Sequence, residues 1–254
     1  MQSEAMRRSS AISTTLLLTA HGSADPRSAA NARAVARRLT RLRPDLDVRL
    51  AFCELNAPSL VDVLCSLPTG REVVIAPLLL ANAYHARLDI PRQVADCGVT
   101  ERGLVVRQAD VLGEDERLVS VLRQRVCELG ISRLDDSLGV LVVAIGSSNL
   151  AANARTAAVA PKLLAGTRWA AATTAFATRA EPSFAESVAQ LRRRGARRVV
   201  VAPWFLAPGR LPDRVQRLAD DAGITVAAPL GAHPLVAETV LDRFDRAVVQ
   251  PMAA

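Results

Sequence analysis

Aromatic side chains make up only 3% of this 254-residue chain, and lysine is nearly absent: Lys162 is the one lysine among 32 Lys and Arg residues. Binding nucleic acid by base stacking needs a basic surface interleaved with aromatics. The shortage of aromatics argues against it, and the arginines are spread over many helical segments instead of one patch. The four cysteines, Cys53, Cys65, Cys97 and Cys127, include no C-x-x-C pair. That spacing fits neither a zinc knuckle nor a disulfide framework, and the four read as buried thiols in a reducing compartment. No stretch approaches the ~20 apolar residues of a membrane span, so no membrane association is expected. No G-x-G-x-x-G follows the first predicted strand, which removes the dinucleotide fingerprint. Ser23 likewise lacks the G-x-S-x-G elbow of a hydrolase nucleophile.

Half of the residues are apolar, dominated by Ala, Leu and Val, a composition suited to parallel sheets covered by helices. The length admits one large domain or two of about 125 residues. The formal net charge is +7. Two readings account for the Arg-for-Lys bias: the base composition of a GC-rich genome, or a preference for polyanionic ligands, whose carboxylates or phosphates match guanidinium forks.

Strand-like runs alternate with helical patterns along the whole chain. After a polar leader, Met1–Ser13, read as frayed, the apolar run Thr15–Ala20 ends abruptly in His21-Gly22-Ser23. The pattern Pro26–Arg43, with Ala29, Ala32, Val35 and Leu39 at helical spacing, then follows. Further strands are expected at Val48–Glu54, Glu72–Leu80 and Leu104–Gln108, with helices opening at Ser59, before Pro91 and near Glu114. Ser132–Ser137 reads as a linker between lobes 14–131 and 138–254. The pattern then restarts with a strand, Leu138–Ala144, and a single helix, Asn149–Leu164.

The restart is a duplication. Ile145-Gly146-Ser147 falls on His21-Gly22-Ser23 at an offset of 124 residues, and the same offset places the Phe176–Phe184 block on Phe52–Leu60. At 126 residues, Val199–Leu206 falls on Val73–Leu80. So long a period excludes a solenoid, and the expected fold is α/β: two similar lobes facing one another, each a small parallel sheet flanked by helices. The duplication is also an internal control. The Gly-Ser, Pro-Ser and Ala-Pro framework is kept in both halves, while His21 becomes Ile145, Glu54 becomes Thr178 and His85 becomes Leu211. Each of His21, Glu54 and His85 lies at or just beyond the carboxyl end of one of the first three predicted strands. In a parallel sheet those ends share one edge, where ligands are held. Two imidazoles and a carboxylate there form a set suited to a divalent metal with open positions. His233, before Pro234, reads either as facing the cleft or as a helix start. Cys53 is expected to point away from Glu54 into the packing.

The ordered set Leu-Thr-Ala-His-Gly-Ser-Ala-Asp-Pro-Arg, Glu-Leu-Asn-Ala-Pro-Ser-Leu, and Ala-Pro-Leu-Leu-Leu followed by His85-Ala-Arg-Leu-Asp-Ile-Pro91 resembles the sirohydrochlorin chelatases of the CbiX/SirB type. The resemblance runs over nearly the whole chain, including the Pro-Gly-Arg-Leu-Pro-Asp213 segment of the second half. It implies insertion of Fe2+ or Co2+ into sirohydrochlorin, on the route to sirohaem or cobalamin, with the substrate between two α/β domains. His21, Glu54 and His85 are then the metal-binding and catalytic residues. The histidines would share ligand and base roles, and Glu54 would be mainly a ligand. Ser23, Arg27, Arg87, Arg179 and Arg210 are the expected contacts to substrate carboxylates. No organic cofactor and no nucleic-acid partner are expected, and the protein is read as a cytoplasmic monomer. A metal-dependent hydrolase or oxygenase using the same ligands, and a metal or tetrapyrrole carrier without turnover, remain as alternatives.

Overall fold

The structure is a computed structural model that describes residues 14–81, 85–178 and 182–249, the side chain of residue 85 excepted. Among the described residues the strands form two four-stranded parallel sheets. The first contains β1 (Thr15–Ala20), β2 (Asp47–Phe52), β3 (Glu72–Pro77) and β4 (Val105–Gln108) in the order β2-β1-β3-β4. The second repeats that order with β5 (Leu138–Ala144), β6 (Ala171–Phe176), β7 (Arg198–Pro203) and β8 (Thr225–Val226), as β6-β5-β7-β8. In both sheets the chain first steps to one side of its opening strand and then to the other. The switch point therefore lies between β1 and β3 in the first sheet and between β5 and β7 in the second.

Central strands of such sheets are covered on both faces, which explains their unbroken apolar runs. Leu16 and Leu18 point to one face of the first sheet and Leu17 to the other, all fully buried. On the outer face, Leu17, Val73 and Ile75 pack against α2 (Leu60–Ser66) and α3 (Ile90–Asp96). In the second sheet Leu141, Val143 and Val201 pack against α7 (Phe184–Arg193) and α8 (Arg210–Asp221). The two inner faces share one core with α1 (Pro26–Leu42), α4 (Glu116–Cys127), α6 (Val159–Leu164) and α9 (Pro234–Val249), while α5 (Leu150–Ala157) packs on α6 and β6. The layers thus run helix, sheet, helix, sheet, helix.

Each repeat lends its last helix to the other. The α4 helix, from the first repeat, packs on β7 and α6, and α9, from the second, packs on β3, β4 and α1. In α9 the apolar side chains Val236, Val240 and Phe244 are buried, each stabilising the join by roughly 1.5–3 kcal/mol. Arginines fasten the exchange. Arg107 of β4 donates to the last-turn carbonyls of Ala247 and Val248 in α9, and Arg123 of α4 donates to Lys162 and Leu163 in α6. Both place a cation at a helix C-terminus, where orphan carbonyls and the dipole favour it. Arg243 of α9 reaches the Val111 and Leu112 carbonyls and the Asp115 carboxylate at the start of α4.

Some expectations need correction. The single helix over 149–164 is two, joined at Ala158. Pro161 has no N–H to give the Ala157 carbonyl, which takes the Thr174 hydroxyl at 3.4 Å instead. The segment from His85 begins as a π-helical turn, His85–Asp89, before α3. The second strand ends at Phe52, so Glu54 is carried by a loop and not by the strand itself. Of the four cysteines Cys97 alone is buried; Cys53 and Cys127 are half-buried and Cys65 is exposed. His233 starts a helix: its Nδ1 accepts the Leu235 N–H at 3.2 Å, at the N-terminus of α9.

Candidate metal centre

Parallel pairing in register brings Ala20 beside Phe52, and the next residues of each chain continue the ladder into the loops. Cys53 N–H donates to the Ala20 carbonyl at 2.9 Å and Glu54 N–H to the His21 carbonyl at 3.0 Å. The backbone therefore sets His21 against Glu54 before either side chain acts. Gly22 makes this possible: its φ is +98°, and a Cβ there would lie 1.8 Å from the Glu54 carbonyl oxygen. The Glu54 carbonyl also accepts the Asn56 N–H at 2.7 Å. Asn56 Oδ1 in turn accepts the Ser23 N–H at 2.8 Å, and Ser23 Oγ accepts the Asp25 N–H at 3.0 Å. Both loops are thus bound into one rigid piece at the carboxyl edge of the sheet.

On this piece His21 Nδ1 lies 3.3 Å from Glu54 Oε1 and 2.9 Å from the Gly22 carbonyl oxygen. An imidazole whose Nδ1–H is bound to oxygen presents its Nε2 as the metal-donor nitrogen. The side chains are 33% and 52% exposed, so the pair faces solvent at the carboxyl edge of the sheet and not the core. Among the described residues no three His, Cys, Asp or Glu side chains gather closely enough to hold a metal. The third expected ligand, His85, has its side chain outside the described residues, although its backbone opens the π-helical turn after β3. Cys53 adds no ligand. Burial, then the Asp89 and Glu54 charges, push its thiol up to about 11, and its carbonyl is taken by Gln93 Nε2 at 3.0 Å.

The second repeat builds the same frame without the chemistry. Gly146 has φ +88°, Thr178 N–H donates to the Ile145 carbonyl at 3.0 Å, and Ser147 Oγ accepts the Asn149 N–H at 3.1 Å. In Glu54's place, the Thr178 hydroxyl turns inward to the Ile145 carbonyl at 2.6 Å.

The arginines divide. Arg27, at the start of α1, is held by Asp25 at 2.6 Å and by Asp213 of α8 at 2.5 Å. Its guanidinium holds the Asp25 carboxyl down at about 2. With Asn31 Nδ2 donating to the Leu206 carbonyl at 3.0 Å, this ion pair brings the carboxyl edge of the first sheet beside that of the second. Arg87 in the π-helical turn and Arg210 at the first position of α8 are exposed on those edges. Arg179 lies outside the described residues. Asn56 and Asp213 were not anticipated from the sequence. Asn56 has no equivalent in the second repeat, where Asn153 of α5 receives the Ser147 N–H at 2.8 Å, so the duplication gave no signal for it.

The model of the CbiX family matches the chain at residues 15–129 and again at 139–247. The chain belongs to the CbiX family. The two matched stretches each contain one of the parallel sheets, so the family unit occurs twice. The sirohydrochlorin ferrochelatase of Priestia megaterium is 28% identical over 228 residues, 86% of this chain and 84% of that one. The sirohydrochlorin cobaltochelatase of the same organism is 24% identical over 246 residues, 91% and 78% of the two chains. In fold, the chain superposes on SirB from Bacillus subtilis with Fe3+ with a TM-score of 0.81 at 20% identity, covering 93% of this chain and 96% of that one.

Proposed function

We propose that this CbiX-family chain inserts Fe2+ or Co2+ into sirohydrochlorin. The observation that carries the reading is the His21–Glu54 pair, held by the backbone at the carboxyl edge of the first sheet and missing from an otherwise matching second repeat. Its relatedness over most of its length to a sirohydrochlorin ferrochelatase and a cobaltochelatase supports the substrate. The metal is a substrate here, and no organic cofactor enters. The protein would act in the cytoplasm as a monomer.

Metal insertion needs an ion that is partly stripped of water yet able to leave, and a base for the pyrrole protons. His21 Nε2, a Glu54 oxygen and the imidazole of His85 would hold the ion on one side, leaving its other positions open to the ring nitrogens. A set of three donors binds more weakly than a closed four-donor site, so transfer to the macrocycle runs downhill. As the metal–nitrogen bonds to the ring form, those to the imidazoles break. The two pyrrole protons leave to the freed bases, imidazole being the common general base near neutral pH. Arg87 and Arg210, and Arg179 beyond the described segment, would meet carboxylates at the ring periphery, since guanidinium forks match them bidentately. Ser23, whose Oγ accepts the Asp25 N–H, still has its own O–H to donate to a carboxylate.

The test is His21→Ala, followed by the absorbance change of sirohydrochlorin on adding Co2+ or Fe2+. The rate should fall by at least ~100-fold, with far-UV circular dichroism unchanged. A variant that metallates sirohydrochlorin at the native rate would overturn the site. A native protein that binds the tetrapyrrole and never accelerates insertion would overturn the activity in favour of a carrier.

A further inference from the structure

Nine large apolar side chains stand exposed among the described residues, and four of them lie at the carboxyl edges of the two sheets. Leu55 follows Glu54, Leu88 lies in the π-helical turn that opens at His85, Ile145 directly follows β5, and Leu150 opens α5. They are 69%, 56%, 49% and 69% exposed. Single exposed leucines need no explanation, but four at two sheet edges that the Arg27–Asp213 pair and the Asn31 bond bring side by side mark a surface that is covered in use.

Two further observations bear on this cluster. Leu55 has φ +60° and is the non-glycine residue with positive φ among those described. A leucine held in the left-handed region with its side chain in solvent gains nothing for the fold, and backbone strain of this kind collects at functional sites. The second concerns Ile145. The repeat keeps its loop frame down to the Thr178 N–H bond, yet the side chain that replaces His21 is large, aliphatic and half exposed. At 49% exposure that side chain adds little to the core.

We propose that Leu55, Leu88, Ile145 and Leu150 form an apolar jaw that grips the flat faces of the tetrapyrrole, with Ile145 pressing on the ring from the place that His21 holds in the first repeat. The inference rests on the chelatase reading given above and adds to it the residues that bind the ring itself. A carboxylate-fringed macrocycle presents two chemistries: a charged rim, which arginines match, and conjugated apolar faces, which arginines do not cover. Aliphatic side chains at the crevice remove those faces from water. The asymmetry between the repeats then has a purpose. Metal approaches from the His21 side, while the opposite face meets a side chain that cannot ligate it.

The experiment is a titration of the metal-free protein with sirohydrochlorin, read by absorbance, alongside calorimetric titration of the same proteins with Co2+. Ile145→Asp and Leu150→Asp should each weaken tetrapyrrole binding by roughly tenfold or more, because each sets an unpaired charge against an apolar face and close to other carboxylates. Ile145→Leu should bind within about twofold of the native chain. Co2+ binding should be unchanged in all three, which also shows that the first-repeat site remains folded. Native-like tetrapyrrole affinity in both aspartate variants would overturn the jaw while leaving chelation standing. A native protein that neither binds nor metallates sirohydrochlorin would overturn both.

Discussion

Gly22→Ala isolates the point at which backbone geometry becomes chemistry. At φ +98° a Cβ would sit 1.8 Å from the Glu54 carbonyl oxygen and 2.8 Å from its carbonyl carbon. The conformation itself costs an alanine about 1–2 kcal/mol. Moving a bonded loop backbone out of the way adds roughly 1–3 kcal/mol, for a total near 3 kcal/mol. In a chain of this size that lowers the melting temperature by roughly 6–12 °C. The loop relieves the contact only by moving Glu54 away from His21, which breaks the Glu54 N–H bond to the His21 carbonyl and opens the side-chain pair. Cobalt affinity should therefore fall by at least ~10-fold, together with the rate of metal insertion. Gly70→Ala is the control: Gly70 has φ +74° with nothing within 4 Å of the added Cβ. It should show the conformational cost alone and leave cobalt binding untouched. Thermal unfolding followed by circular dichroism and calorimetric cobalt titration read both effects. If Gly22→Ala melts no lower than Gly70→Ala and binds cobalt normally, the coupling of this glycine to the His21–Glu54 pair is refuted.

Two further outcomes concern the exchange of helices. The Asp115 carboxyl is held well below the usual carboxylate range, chiefly by Arg117 and also by Arg243 of α9. A carboxyl with a depressed native pKa gives stability that is fully present above its unfolded value near 3.9 and is lost as pH falls through the native value. The native protein should therefore lose stability steeply below about pH 4. Asp115→Asn should be less stable by about 2 kcal/mol at pH 7 and show a shallower acid limb, measured as urea midpoints from pH 7 down to pH 3. Arg123 is 8% exposed and satisfies two carbonyls at the end of α6. Arg123→Ala should cost roughly 1–3 kcal/mol by leaving them unpaired, and an unchanged urea midpoint would show that water replaces the guanidinium without loss.

Periodicity and the duplication made most of the local structure legible. The run Thr15–Ala20 could be read as a strand because it is buried on both faces. The offset of 124 residues correctly carried one loop onto the other, down to paired capping boxes at Ser59 and Ser183 and the matching glycines at φ +98° and +88°. The strand-end argument put His21 beside Glu54, and the structure brings those two together. What stayed hidden was long-range. The amphipathic patterns of α4 and α9 say that each covers an apolar face, but both sheets offer one, and nothing local says which is covered. Arg27 reads in the sequence as a cation open to substrate. Its partner Asp213 lies 186 residues away and cannot be found from spacing. The break at Ala158, by contrast, was written in Pro161, whose missing N–H removes a helical bond.

The exchange of helices bears on how a cleft between two lobes can open. A hinge between independent lobes would need few contacts across it, yet here α4 and α9 place their buried faces against sheets of the opposite repeat. Separating the lobes would expose that core, so the join between them is fixed. The carboxyl edges of the two repeats are held differently, by the ion pair of Arg27 with Asp213, whose side chains are 49% and 50% exposed. Exposed pairs of this kind contribute little stability and are screened by salt. For the proposed chelatase, a polycarboxylate substrate competes with Asp213 for Arg27 on equal chemical terms. Entry then needs only the exchange of one carboxylate for another at the rim, while the His21–Glu54 pair beneath stays in the register set by β1 and β2.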